Sequence, residues 1–305
     1  ERAGVDAVLT GDAHADYRQD ARGVDAFFDR ADGSRVQVRG DVLVGADGLH
    51  SRTRALRWPL EGRPLYSGMT LYRGAVETAP YLDGESMVIV GDKRLRLVAY
   101  PLSRDAQQRG RSLVNWIAAL FVERDDEQPE DWNRRSGGAA LEARYADWCF
   151  DWLDVPALIG ATPEIFEFPV HDRDPLPAWQ DGRVTLLGDA AHPLIPVSSS
   201  GAVHAIIDGR ALAFHLAAHR ADPTAGLAAY EADRRPKTTA VVLASRENGP
   251  DQVLEIVRER CPDDAGDIHA HVPLSELQAI IDDFRERSGF AIDRLNNLPA
   301  YDPPA

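Results

Sequence analysis

The chain has 305 residues, with 34 Lys plus Arg against 49 Asp plus Glu, and this net charge of -15 argues against a nucleic-acid backbone or an anionic membrane as its main partner. A hydrophobic fraction of 44% and a charged fraction of 27% are those of a folded protein with a core, and the length suffices for one large or two moderate domains. The two cysteines, Cys149 and Cys261, lie far apart and offer neither a disulfide framework nor a C-x-x-C metal spacing. No apolar run approaches the roughly 18 to 20 residues of a membrane span, and no signal-peptide pattern opens the chain, so a cytoplasmic protein is expected. The first residue is Glu1, which suggests a processed or partial chain.

Residues 24–28 (VDAFF) and 36–38 (VQV) alternate apolar and polar on either side of the Asp32-Gly33 turn signal and predict a hairpin. Val42, Leu43 and Val44 form a short continuous apolar run that ends on Gly45, the pattern of a strand buried on both faces. From Gly68 to Trp116 short strand-like segments follow one another, broken by Gly, Asp and Pro, and predict an antiparallel sheet. Residues 124–138 read as a loop, and 139–159 as a helix with Trp148 and Trp152 at i, i+4 on one face. A second buried strand spans Val184 to Leu187. It leads through Gly-Asp and three serines into an amphipathic helix starting near Ser200, with Val203, Ile206, Ile207, Phe214 and Ala217 on its apolar face. Gly209, inside that helix, suggests close packing against a neighbour. From about residue 222 the chain is helical and charged, with breaks at 248–250 and 261–264; no internal repeat is visible.

A strand that ends in Gly-Asp before a helix can hold a polar ligand, because unpaired N–H groups and the positive end of the dipole gather at the helix start. Asp189 suits a sugar hydroxyl there; a simple turn role for Asp189 or for Asp47-Gly48 is the competing reading. Taken together, VLVGADGLHSRTR (42–54) and VTLLGDAAHPLIP (184–196) resemble the paired signatures of the single-component FAD-dependent aromatic hydroxylases with the p-hydroxybenzoate hydroxylase fold. The first has the form D-G-x-x-S-x-x-R at Asp47, Gly48, Ser51 and Arg54, and the second has G-D-A-A-H-P from Gly188 to Pro193. CFDWLDVPAL (149–158), DRDPLPAW (172–179) and YEADRRP (230–236) look like the branch of phenazine-carboxylate monooxygenases and 3-hydroxybenzoate 6-hydroxylases.

The resemblance implies an α/β fold, with a partial FAD-binding Rossmann-like domain, an inserted antiparallel-sheet substrate domain and a helical tail. Its boundaries would be residues 1–57 and 179–235 for the FAD-binding parts, 58–178 for the substrate domain and 236–305 for the tail. It implies FAD as cofactor, NAD(P)H as co-substrate, and hydroxylation of a phenolic or carboxylated aromatic by O2 through a flavin C4a-hydroperoxide. No protein nucleophile and no metal are implied, and a monomer or homodimer is expected. Asp189 would bind a ribityl or ribose hydroxyl, with Gly188 and Ala190 beside it. Pro196, Ser198, Ser199 and Ser200 would lie along the isoalloxazine ring, and the helix start at Gly201 and Ala202 would face its pyrimidine edge. Asp47 and Gly48 would border the pyrophosphate and nicotinamide path, and Arg54 would support them by ion pairing, a solvated arginine being the alternative. His192 is expected to be a capping or turn residue rather than a base. The substrate would sit on the sheet, with Met69, Leu71, Tyr72, Arg73, Tyr100 and Trp116 as candidates, of which strand alternation admits about half to the pocket face. Arg73 or Tyr72 could bind a substrate carboxylate or phenol, an ordinary sheet-surface role being the favoured reading.

Two features depart from the family pattern. Residues 1–50 hold no G-x-G-x-x-G run, so roughly the first hundred residues of the family are expected to be missing. Relatives also carry glycines where this chain has Ser198, Ser199 and Ser200, which predicts backbone strain if φ is positive there, although Ser200 also suits a helix N-cap. Both features motivate an alternative, a truncated or degenerate homologue that binds an aromatic ligand or a partner without FAD. Halogenases of the same superfamily carry W-x-W-x-I-P, a run not found here.

Overall fold

The structure is a computed structural model that describes residues 7–92, 94–121, 134–196, 200–247, 249–262, 266–288, 291, 293, 296–297 and 301–302. The expected loop at 124–138 lies largely outside these residues, as do Ser198 and Ser199. The chain divides into two compact units, the first comprising residues 1–65, 171–250 and 278–305 and the second 66–170 and 251–277.

The first unit opens with an antiparallel three-stranded sheet in the order β1 (Asp12–Asp20), β2 (Gly23–Arg30), β3 (Arg35–Gly40). The β2–β3 hairpin forms where the sequence predicts it. Gly33 takes φ +81° at the turn, and the Asp32 carboxylate accepts the Ser34 N–H at 2.8 Å. Strand β4 (Leu43–Gly45) then leads to α1 (Arg52–Arg57). Far along the chain, β12 (Val184–Leu186) pairs with β4 in parallel, placing Leu186 opposite Gly45. Helices α5 (Gly201–Ala218) and α6 (Pro223–Ser245) follow, and most of α8 (Leu274–Ser288) belongs to this unit. Its core gathers Leu176, Trp179, Leu186, Ala190, Ala191, Ala211, Leu212, Leu227 and Tyr230.

The second unit is built on a five-stranded sheet ordered β11-β5-β8-β7-β6, from β5 (Leu65–Thr78), β6 (Val88–Gly91), β7 (Leu95–Pro101), β8 (Ser112–Phe121) and β11 (Phe166–Asp172). The β6–β7, β7–β8 and β8–β5 pairs are antiparallel, as the strand spacing predicts. The short helix α2 (Arg104–Gln108) joins β7 to β8, and α7 (Gln252–Arg260) also belongs to this unit. Val76, Leu97, Val114, Trp116, Ala118 and Leu120 line one face of the sheet and pack with α3 (Gly138–Arg144) and α4 (Val155–Gly160). Burying such side chains contributes about 1.5–3 kcal/mol each. Trp116 brings its polar edge into this core without loss, donating Nε1–H to Thr162 at 2.8 Å.

Residues 139–159 are not one helix. Between α3 and α4 runs a small hairpin of β9 (Cys149–Phe150) and β10 (Leu153–Asp154). Trp148, Phe150 and Trp152 also fit a period of two, and the rings of Phe150 and Trp152 stack at 5.3 Å. Asp154 caps α4 by accepting the Ala157 N–H, and Pro156 occupies the first turn, so a new helix must begin there. Among the described residues no helix is long and apolar enough to cross a membrane.

Candidate functional site

Parallel pairing of β4 with β12 sets the two Gly-Asp segments side by side beyond the carboxyl ends of both strands, and Leu187 N–H continues the pairing to Gly45 O at 2.9 Å. Gly45 has no room for a side chain, since a Cβ would stand 2.6 Å from that of Thr53. The chain then turns through Gly48 at φ +76° into α1. The Asp47 carboxylate serves this turn: it accepts Ser51 Oγ–H at 2.5 Å and Thr53 N–H at 3.1 Å, while Ser51 Oγ caps α1 by accepting the Arg54 N–H.

At the other end of the pair, β12 runs into a single 3₁₀ turn over Gly188–Ala190. Gly188 has φ +59°, and a Cβ on it would stand 3.2 Å from that of Ala205 in α5, so the turn needs glycine twice over. Asp189 is exposed, and its Oδ1 lies 4.0 Å from the position of a Cβ on Gly201, at the start of α5. The first intrahelical bond of α5 runs from His204 N–H to Ser200 O, leaving the N–H groups of Gly201, Ala202 and Val203 directed out of the helix start beside an acidic side chain. Ala202 and Pro196 are exposed. Ser200 occupies the N-cap position, buried, at φ -102° and ψ -6°, so the strain expected from a serine in a glycine position is absent there, and its side chain makes no capping bond.

Arg54 is buried and ties the two segments together. Its Nε and Nη2 pair with the Glu61 carboxylate, Nη1 donates to Ala190 O and Ala191 O at 3.1 Å, and Nη2 also reaches Asp174 O at 2.9 Å. The five N–H groups of the guanidinium are all engaged by protein. Arg54 thus joins the first motif to the carbonyls of the second, and it is not the solvated arginine of the alternative reading.

The opposite side of the Gly188–Ala190 turn is held by Asp208 from α5, which is fully buried. It accepts His192 Nε2–H at 2.5 Å, Gly188 N–H at 3.2 Å and Arg234 Nε–H at 2.7 Å from α6. Burial pushes the Asp208 carboxyl up, but hydrogen bonds and charge from His192 and Arg234 prevail and hold it below the ordinary carboxylate value. His204, also buried, is pushed down to about 4 by burial and then by the Arg234 and His192 charges. His192 is buried, and its partner is the Asp208 carboxylate rather than a turn.

This cluster reverses the predicted facing of α5. Its buried positions are His204, Asp208, Ala211 and Leu212, whereas Val203 and Ile206 are exposed. The apolar-face reading fails because a buried cluster centred on the Asp208 carboxylate, which His192 and Arg234 engage, occupies the inner side. Gly209 borders open space among the described residues, not a close neighbour. Asp208 and Arg234 escaped the sequence reading; the available signal was an acidic residue one turn after His204, ahead of the arginines of YEADRRP. Glu231 of that stretch accepts the N–H groups of Trp179 and Gln180 at 2.8 and 2.7 Å, so it meets the end of DRDPLPAW just before β12.

In the second unit, alternation along β5 separates the substrate candidates. Tyr72 packs on the core side with Trp116. Met69, Leu71 and Arg73 take the other face of β5, and Tyr100, which pairs with Asn115 of β8, takes the same face as Arg73. Met69 is buried there beside Arg96 Nη2, whose Nη1 pairs with Asp251.

A family model described as an FAD binding domain matches residues 160–245. The chain is 41% identical over 251 residues to phenazine 1,6-dicarboxylic acid hydroxylase PhzS of Lysobacter antibioticus, covering 81% of this chain and 61% of the relative. It is 33% identical over 216 residues to 3-hydroxybenzoate 6-hydroxylase 2 of Aquipseudomonas alcaligenes, covering 69% of this chain and 62% of the relative. Among solved structures, Klebsiella pneumoniae HpxO complexed with FAD and uric acid matches 96% of this chain and 66% of its own, at 25% identity and a TM-score of 0.63. The chain therefore spans about three fifths of the length of these curated relatives.

Proposed function

We propose that this relative of the FAD-dependent aromatic hydroxylases is the greater part of a monooxygenase that uses FAD, NAD(P)H and O2 to hydroxylate a phenolic or carboxylated aromatic ring. The observation that carries the reading is the junction itself: Gly48 and Gly188 at positive φ, an exposed Asp189 and the first-turn N–H groups of α5 meet where two parallel strands end.

These residues fit a flavin nucleotide. Asp189 is acceptor-only and exposed, suited to a ribityl or ribose hydroxyl, while Gly201 beside it adds no side chain at the helix start. The first turn of α5, at Gly201 and Ala202, offers N–H donors and a positive dipole end to the electron-rich edge of the ring. Ser198, Ser199, Ser200 and Pro196 are assigned to the same loop on sequence position. Asp47 and Gly48 border the junction, with the Asp47 carboxylate already engaged by α1; Arg54 acts by holding the junction rather than by touching the cofactor. When bound, the flavin supplies the redox chemistry, taking a hydride from NAD(P)H and activating O2 for transfer of one oxygen atom to the ring. The protein's share is to orient the ring, exclude water and polarise a phenol or carboxylate. The sheet face bearing Leu71, Arg73 and Tyr100 is assigned to that task, and Tyr72 is withdrawn from it by its place in the core.

Titration of the purified chain with FAD, followed by quenching of flavin fluorescence, tests the reading. Saturable binding is expected, with Asp189→Asn weakening it about tenfold at unchanged melting temperature, the loss of one charge-assisted hydrogen bond. An unperturbed flavin spectrum would favour the non-catalytic alternative.

A further inference from the structure

The outer sheet face of the second unit holds a cavity of about 460 Å³ lined by Arg73, Asn115, Pro163, Glu164, Phe166 and Phe168, among others. That volume lies within the range of small-molecule sites. Arg73 is exposed, and its guanidinium stacks over the Phe168 ring at 5.7 Å. No carboxylate among the described residues pairs with it. Glu164, the acidic group in the lining, is paired with Arg135 at 2.7 Å.

Asn115 is the unusual member. It lies in the central strand β8, 5% exposed, and its Nδ2 is buried without a hydrogen-bond partner. An orphaned buried amide costs about 1–3 kcal/mol, and such groups are rare in folded proteins. In the β5–β8 register Arg73 pairs with Ile117 and Ala75 with Asn115, so Arg73 and Asn115 are diagonal neighbours on one face. Rotation of the carboxamide about χ2 exchanges its oxygen and nitrogen, so the side chain can turn its donors to a ligand at no change in shape.

We propose that Arg73 and Asn115 form the acid-recognising subsite of this cavity: the guanidinium and the carboxamide N–H groups bind a ring-borne carboxylate, and Phe166 and Phe168 flank the ring. A carboxylate accepts from both donors and brings the negative charge that the Arg73 guanidinium complements, whereas the isosteric neutral amide brings no charge. The fate of the ring after binding rests on the hydroxylase reading; its binding does not.

Calorimetric titration of the whole chain with 2-naphthoate and 2-naphthamide tests the assignment without flavin. Naphthoate is expected to bind roughly tenfold tighter than the amide, the ratio typical of a charge-assisted hydrogen bond. Arg73→Gln should abolish that ratio by weakening naphthoate alone. Asn115→Leu should weaken naphthoate by a similar factor while leaving the melting temperature unchanged or higher, because an apolar side chain of like shape removes an orphaned donor; an asparagine kept for packing would instead lower it. Equal affinities for the two probes, no detectable binding of either, or naphthoate affinity unchanged in both variants overturns the assignment. Acid preference without FAD binding would leave the subsite standing and remove the hydroxylase reading, and FAD binding without acid preference would do the reverse.

Discussion

Two arginines mark the contrast between the strand junction of the first unit and the sheet face of the second. Arg54 is buried with every donor engaged by the chain itself, whereas Arg73 is exposed over Phe168 with no carboxylate partner. Around Arg54, the Asp208 carboxylate is likewise saturated; around Arg73, Asn115 keeps an orphaned donor. At the junction the charged groups Arg54 and Asp208 are engaged by the chain itself, although His192 Nδ1 and His204 Nε2 make no hydrogen bond, and Asp189 and a helix start face outward. The unsaturated face keeps polar groups in reserve for a ligand, at a cost in stability.

The contrast can be broken by substitution, beginning with the largest effect. Asp208→Ala leaves Arg234 buried without its carboxylate and should cost about 3–5 kcal/mol in urea unfolding, enough to compromise folding. Arg54→Lys keeps the charge but loses the fork that reaches Glu61, Asp174, Ala190 and Ala191, and a loss of about 2–3 kcal/mol is expected in the same measurement. A neutral outcome for either would show that the junction is not held as described.

Acid should act on the same cluster. His204 has a folded value near 4 against 6.5 when free, so the unfolded chain binds its proton first as pH falls. The stability tied to neutral His204 is complete above pH 6.5 and is lost progressively down to about pH 4. Between pH 7 and pH 5 this amounts to about 2 kcal/mol, and His204→Gln should flatten the melting temperature over that window. Asp208, also depressed, adds a second loss only at lower pH, below the ordinary carboxylate value. The smallest effect belongs to Ile206→Lys, expected to change stability by less than about 0.5 kcal/mol because Ile206 is exposed on α5. The apolar-face reading of that helix demands a loss of about 2–5 kcal/mol instead, so the measurement separates the two.

Much of the molecule was legible in the sequence. The Asp32-Gly33 turn, the strand ending on Gly45 and the strand before Gly188 each follow from local chemistry, a glycine where φ must be positive or a short apolar run. Only the second strand is buried throughout, however, and Leu43 and Val44 are half-buried. The antiparallel sheet follows from regular spacing, and the flavin resemblance from two motifs of fixed pattern. Local periodicity misled twice, at Trp148 and Trp152 and on the facing of α5, because positions four apart satisfy a strand as well as a helix, and apolarity alone ignores a buried carboxylate whose partners His192 and Arg234 lie outside the helix.

Tertiary structure alone decided what those motifs do. Nothing local to residues 42–54 says that Arg54 will reach the carbonyls of Ala190 and Ala191, or that Asp208 will bind Gly188, His192 and Arg234 at once. Nor does the sequence of β5 and β8 set Arg73 diagonal to Asn115, which depends on strand register. Conformation within a few residues is set by sterics that each residue carries with it. The partners of a buried charge are set by which segments the packed core brings within hydrogen-bond reach, whether from a neighbouring helix, as Arg234 for Asp208, or from far along the chain, as Ala190 for Arg54.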